Sequence, residues 1–175
     1  MFFRSTCSVL LLMAGFFLSP IPSSSAEETS SYKVLASQKA GLNLFTVRKY
    51  IKEGDEAVEN EDLDQARKNF DKARVLTKQL LGFYRDLNGA FRGIDARIPR
   101  EMDSKGREAQ ALFAQTNLRL AALFRRQNQP EIAVPLLIEV VRLMNPTNIE
   151  GQKAYQSLLE LGFVDTPYGD MKNIN

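Results

Sequence analysis

The sequence predicts an all-α protein of antiparallel helical hairpins, about five helices in all, with one long central helix. Three observations carry this. Residues 50–73 read as two amphipathic stretches around a polar turn, Asn60-Glu61-Asp62, with Gly54, Ala57, Ala66 and Ala73 where the two axes would come closest. Small side chains let helices approach near the lower limit of interaxial distance, and Phe70 is placed to fill the gap beside them. A second stretch repeats the arrangement, with Asn117, Leu120, Ala121 and Phe124, a turn at Asn128-Gln129-Pro130, then Ala133 and Leu137. Finally, apolar and small residues alternate at spacings of three and four without a break from Leu63 to Ile98, a heptad pattern.

The first helix is expected from about Asn43 to Glu59, because Val47, Tyr50, Ile51, Gly54, Ala57 and Val58 form one stripe at helical spacing. Asp62 followed by Gln65 predicts an N-cap and its reciprocal partner. Taken literally, the stripe from Leu63 to Ile98 is one helix about 50 Å long at 1.5 Å per residue, bending near Gly82 or Gly89 and ending before Pro99. Pro99 to Ser104 is expected to turn. A third helix from about Lys105 to Gln127 should bury Ala109, Leu112, Phe113, Thr116, Leu120, Ala121, Leu123 and Phe124. Pro130 suits the first position of a fourth helix, where a missing N–H is harmless. The run Ile132 to Val141 is dense enough for burial on more than one side. Thr147-Asn-Ile-Glu150 has the form of a capping box for a fifth helix through Leu161, which Gly162 would end as a C′ glycine. Phe163, Val164 and Tyr168 are placed to fold back on the last helices, and residues 165–175 form a tail.

The start of the chain has the layout of an export signal: Arg4, an apolar run from Cys7 to Leu18, then Pro20 and small residues to Ser24-Ser25-Ala26. The run falls short of the roughly 20 residues of a membrane span. Residues 1–26 are therefore read as a signal peptide, 27–42 as a polar lead-in and 43–164 as the helical domain. Cleavage would remove Arg4 from the 23 basic residues, leaving 22 against 21 acidic ones, a net charge of +1, and would remove the single cysteine. An exported chain without disulfides relies on helix packing. A charge so near zero disfavours nucleic acid, whose phosphates demand a basic excess.

The hairpin motif resembles the tetratricopeptide repeat, a helix-turn-helix unit of 34 residues with an aromatic-x2-Leu-Gly-x2-Tyr first helix and an Ala-x3-Phe second helix. Tyr50, Gly54, Ala66, Phe70 and Ala73 match; Glu53 and Ala57 stand where Leu and Tyr are usual. Ala66 and Ala133 lie 67 residues apart, one short of two periods, and a single period from Ala66 lands on Arg100, where no repeat core is written. The resemblance thus covers two repeats around a divergent spacer. In such proteins the first helix of each repeat lines a concave groove that receives an extended peptide or a helix. By spacing, the groove would present Arg48, Ile51, Asp55, Val58 and Glu59 from the first repeat. From the second it would present Gln115, Leu118, Ala122, Arg125 and Arg126. The subgroup that clamps a carboxylate tail has Lys and Asn where this chain has Ile51 and Asp55, which argues against that ligand.

Nothing in the sequence is written for catalysis. Without the signal the chain has no His or Cys, so it lacks the usual general base, thiol nucleophile and soft metal ligands. The acidic pairs Glu56/Glu59 and Asp62/Asp64 lack the loop pattern that gathers enough oxygens around Ca²⁺. No phosphate-binding glycine motif is present, and no cofactor or metal is expected. Charge is uneven, however. Seven of the twelve residues from Glu53 to Asp64 are acidic, and nine basic residues face five acidic ones from Arg85 to Arg126, an arrangement that can steer a partner. The expectation is an exported, non-catalytic scaffold that binds a peptide, a helix or a subunit of a membrane complex. The overall look of the chain, including the Glu160-Leu-Gly-Phe-Val-Asp-Thr-Pro-Tyr168 end, resembles small exported proteins of cyanobacteria and plastid lumens. That resemblance implies the periplasm or thylakoid lumen and a role as an assembly factor. Membrane association would come only through a partner or an uncleaved signal. The alternative is an extrinsic helical-bundle subunit docked on the lumenal face of such a complex, which the long heptad stripe favours.

Overall fold

The computed structural model describes residues 41–169. The predicted signal peptide, nearly all of the lead-in and the last six residues of the tail lie outside the described residues. Five helices follow in order: α1 (Leu44–Glu59), α2 (Leu63–Phe91), α3 (Arg97–Arg126), α4 (Pro130–Met144) and α5 (Ile149–Glu160). No strand occurs among the described residues, and no helix there is long and apolar enough to cross a membrane. Each helix packs antiparallel on the next, and α3 also touches α1 and α5, its neighbours two steps away. The molecule is a succession of hairpins. The predicted fold class is the observed one.

Helix α1 begins where Asn43 accepts a hydrogen bond from the Thr46 backbone N–H at 2.8 Å, satisfying one of the free donors of the first turn. It ends in a Schellman turn: Asp62 N–H reaches Ala57 C=O at 2.9 Å and Glu61 N–H reaches Val58 C=O at 3.1 Å, with Glu61 at φ 62°. The same turn closes α3, where Gln129 N–H meets Phe124 C=O at 2.9 Å and Asn128 sits at φ 57°. A third, with Gly162 at φ 68°, closes α5 as expected. Asp62 caps α2 through the Gln65 N–H at 2.9 Å, but the reciprocal half of the box is absent. Gln65 instead donates to Asn69, at 3.2 Å.

The expected small-residue contact is present. Gly54 is buried, and a Cβ built there would enter the van der Waals envelope of the Phe70 ring. Ala66 and Ala73 are wholly buried and Phe70 is 1% exposed. One cluster joins Leu44, Val47 and Ile51 of α1 to Ala73 and Leu80 of α2 and Ala109 and Leu112 of α3. A larger one runs from Ala57 and Phe70 through Leu120 and Phe124 to Leu137, Val140 and Leu158. Every α3 position expected in the core is buried. In α4, Ala133, Leu137 and Val140 are buried while Val134, Leu136, Ile138 and Val141 pack partly against the same core, so two sides are covered, by α3 and α5. Val164 packs on that core, and Tyr168 stands edge-on to Tyr155 with centroids 6.3 Å apart. Phe163 remains exposed.

The expected single helix from Leu63 to Ile98 does not form. α2 stops at Phe91, Arg92 turns extended, and Gly93 adopts φ 83°. Asp95 then accepts from the Arg97 N–H at 2.9 Å and opens α3. Pro99 lies inside the first turn of α3, where its missing N–H costs no helical bond. It starts a helix where the sequence reading had it end one, and the expected turn over Pro99–Ser104 is helical. There are consequently two long helices, of 29 and 30 residues. The capping box at Thr147 is not formed either. Asn148 is the N-cap of α5 without a side-chain cap bond, and its amide donates to the Met144 carbonyl.

At 16 residues α1 is about 24 Å long, against about 43 Å for α2. It runs out at Leu44, beside Leu80. Beyond this point α2 and the first turns of α3 continue as a two-helix arm. Leu87 and Ile94, which continue the heptad stripe, are 44% and 78% exposed there. Inside the arm Asn88 donates to Asp103 at 2.5 Å and to the Pro99 carbonyl at 3.2 Å.

Candidate functional site

Because successive helices are antiparallel, α1, α3 and α5 run in the same direction, and the candidate binding residues fall along α1 and α3. A cleft of about 430 Å³ between α1 and α3 is lined by Arg48, Ile51, Asp55 and Gln115. A smaller one, about 150 Å³, continues it past Val58, Ala122 and Arg126, with Phe70 at its floor. Leu118 lines a third cleft, of about 350 Å³, with Lys153, Gln156 and Glu160 of α5. The structure therefore brings eight of the ten candidates into three adjoining clefts. Glu59 and Arg125 line none of them.

Their roles differ. Ile51, at 7% exposure, belongs mainly to the core of α1, α2 and α3 and offers only an edge to the cleft. Val58 and Leu118 are half-buried and pack against the larger core cluster. Ala122, Arg126 and Glu59 are exposed. The charged candidates are mostly engaged across the clefts. Arg48 pairs with Glu108. Asp55 accepts from Arg119 Nε through both oxygens, at 2.8 and 3.1 Å, and Arg125 pairs with Glu160 at 2.9 Å. Arg119 also donates to the Gln115 carbonyl at 3.4 Å. These pairs are partly solvated, so each adds about 1 kcal/mol or less to stability. They link facing helices, α1 to α3 and α3 to α5.

The sequence reading missed Glu108, Arg119 and Glu160, the partners in those three pairs. A signal for one of them was available. Arg119 lies 67 residues after Lys52, and Lys52 is one turn before Asp55 on α1. Parallel neighbouring helices bring such positions together. The pairing also revises the charge picture. The expected basic and acidic stretches meet at one partly exposed pair, Arg119 with Asp55, while within the basic stretch Lys105 pairs with Glu101 at 2.7 Å and Arg97 with Asp95 at 2.7 Å. The Arg97 guanidinium and N–H hold the Asp95 carboxyl below its ordinary range. Arg126, facing the small cleft, has no ion-pair partner among the described residues.

A polar cluster elsewhere ties three helices together. Arg74 of α2 donates to Asn117 Oδ1 at 2.8 Å and pairs with Glu139 of α4 at 2.5 Å, while Asn117 donates to Glu139 at 3.0 Å. Asn117 is fully buried. The Arg74 guanidinium also lies 5.6 Å from the centre of the Phe113 ring. This cluster joins the two hairpins and faces none of the clefts above.

Comparison with known proteins adds no assignment to this geometry: the chain matches no protein-family model, and neither curated proteins nor solved structures give a significant match.

Proposed function

We propose that this chain is a non-catalytic, exported protein-binding scaffold of tetratricopeptide type that receives a partner segment along the α1–α3–α5 face and serves the assembly of a membrane complex, a photosynthetic one in a cyanobacterium or plastid. The observation that carries this is the likeness of the two hairpins. A shift of 67 residues maps Gly54 on Ala121, Ala66 on Ala133, Phe70 on Leu137 and Ala73 on Val140, all buried. It also maps Glu61 on Asn128, the two left-handed residues of the Schellman turns. Repetition of one unit lines up equivalent first helices on one face, and the clefts occupy that face. The periplasm or thylakoid lumen is the proposed compartment, following from the export-signal layout of residues 1–26.

The test is co-purification from detergent-solubilised native membranes, with wild-type protein beside Ala122→Arg and Arg126→Glu. A substoichiometric partner retained by the wild type and lost from both variants supports the reading. Recovery of the protein alone at native expression, or retention by both variants, overturns it. The arm, with Phe83, Leu87 and Ile94 exposed, favours the second reading, an extrinsic subunit on the lumenal face. A subunit would be recovered at one copy per complex.

A further inference from the structure

The largest cleft among those described, about 640 Å³, lies where the arm leaves the body and shares no residue with the clefts of the α1–α3–α5 face. Lys78 and Arg85 of α2, Arg92 at its C-cap and Arg107 of α3 line it, and Asp103 is the single acid among its lining residues. Asp103 already accepts the Asn88 amide at 2.5 Å. Lys78 and Arg107 have no ion-pair partner among the described residues. Arg92 donates to Asn88 Oδ1 at 3.3 Å, and Arg85 has only its exposed chain neighbour Asp86, at 3.4 Å. The floor is apolar, with Leu81, Met102 and Leu143.

The spacing of the cations defines the ligand. Lys78 and Arg85 are seven residues apart and share one face of α2 at an interval of about 10.5 Å, and Arg92, seven residues further on at the C-cap of α2, lines the same cleft. A second helix lying along that face would meet them with acidic residues at every seventh position. Gly82 and Gly106 line the same cleft, and a Cβ at either would meet nothing within 4 Å. Two missing side chains leave room for a helix axis to come close. Phosphate-backbone binding would explain the cations but gives no use to an apolar floor. We propose that this cleft takes an acidic amphipathic helix of a partner protein, packed as a third helix against α2 and α3 with its carboxylates on the cation ladder. The site stands independently of the reading of the α1–α3–α5 face.

The probe is a labelled synthetic helical peptide with Glu at every seventh position and Leu on the flanking face, titrated into the full chain by fluorescence anisotropy. Its counterpart carries Lys for Glu, and inorganic polyphosphate serves as competitor. The Glu peptide should bind, the Lys peptide should not, and binding should weaken with added salt. Lys78→Glu and Arg107→Glu should each weaken it by about tenfold or more, whereas Lys68→Glu, an equal charge change on α2 outside the cleft, should not. Gly82→Leu and Gly106→Leu should abolish binding while leaving helical content and melting temperature unchanged or raised, since both sites are helical and open. That contrast separates a blocked cleft from a damaged fold. No binding of the Glu peptide, equal binding of the Lys peptide, indifference to the leucine substitutions, or displacement by polyphosphate at equal charge concentration would each overturn the proposal.

Discussion

The contact between Gly54 and Phe70 makes opposite demands on two neighbouring residues. The ring needs the space that a glycine leaves, and α1 tolerates the helix-weakening glycine because the ring fills that space. Gly54→Ala should therefore destabilise by about 1–3 kcal/mol through overpacking, although alanine is the better helix former. Phe70→Leu in the same chain should recover part of the loss, because the shorter side chain withdraws from the added methyl. Phe70→Ala alone should cost about 3–5 kcal/mol. The control is Lys72→Ala: Lys72 is exposed, though its ammonium lies 5.6 Å from the centre of the Tyr50 ring, and the change should cost about 0.5 kcal/mol. Urea unfolding of the four variants checks the order, and equal losses at Phe70 and Lys72 would contradict the packing described. Glu61 presents the reverse case, a side chain held at φ 62° where glycine is unstrained. Glu61→Gly should raise stability by about 0.5–1 kcal/mol.

At the level of elements, a repeating pattern and a chain break were written over one another. The three-and-four spacing runs from Leu63 to Ile98, but it counts only side chains and is blind to backbone direction. Gly93 at φ 83° and extended Arg92 turn the chain while the count continues, so Leu87 and Ile94 keep heptad positions with no α1 opposite them. The break was legible in other terms: two glycines near Asp95, and a proline that suits a first helical turn as well as a terminus. Helices α1 and α4, and α3 from Lys105 onward, were readable because their stripes face a partner there, whereas Pro99–Ser104, within the first turns of α3, reads as a turn. The α2–α3 turn also has a pH dependence. Asp95 is held below the ordinary aspartate value of 3.8 by its hydrogen bonds to Arg97. A depressed folded value means that the contribution is present above the unfolded value and lost as pH falls through the folded one. The Arg97 amide resonance should therefore shift with acid titration below pH 3.8 in the wild type, and Asp95→Asn should remove the transition. An unchanged transition in the variant would assign it to another carboxylate.

For the whole molecule, the question is whether the two hairpins open together or apart. The residues that make each hairpin were legible in the sequence, because they repeat after 67 positions and are apolar or small. The joint between them was not. Arg74, Asn117 and Glu139 come from three helices, and Asn117 stands where the first repeat has Tyr50, so no repeat pattern points to the cluster. The clefts were legible to the same degree: the 67-residue spacing placed the candidates on α1 and α3, which face one another across a cleft, while the cross-helix pairs Arg48–Glu108 and Asp55–Arg119 depend on how those helices sit. In stacked hairpins stability is a sum of unit and interface terms, and Arg74–Glu139 is an interface term with both side chains about one-third exposed. Removing either partner leaves the buried Asn117 short of a hydrogen bond, so Arg74→Ala and Glu139→Ala should each cost about 1–3 kcal/mol. The double variant should cost less than their sum, a coupling of about 0.5–3 kcal/mol. Hydrogen exchange gives the spatial reading. In Glu139→Ala the amides of α4 and α5 should lose protection while those of α1 keep theirs, because the loss falls on the second hairpin's side of the joint. Uniform loss across all five helices would instead make the molecule one cooperative unit, with the cluster a part of its core and not a seam.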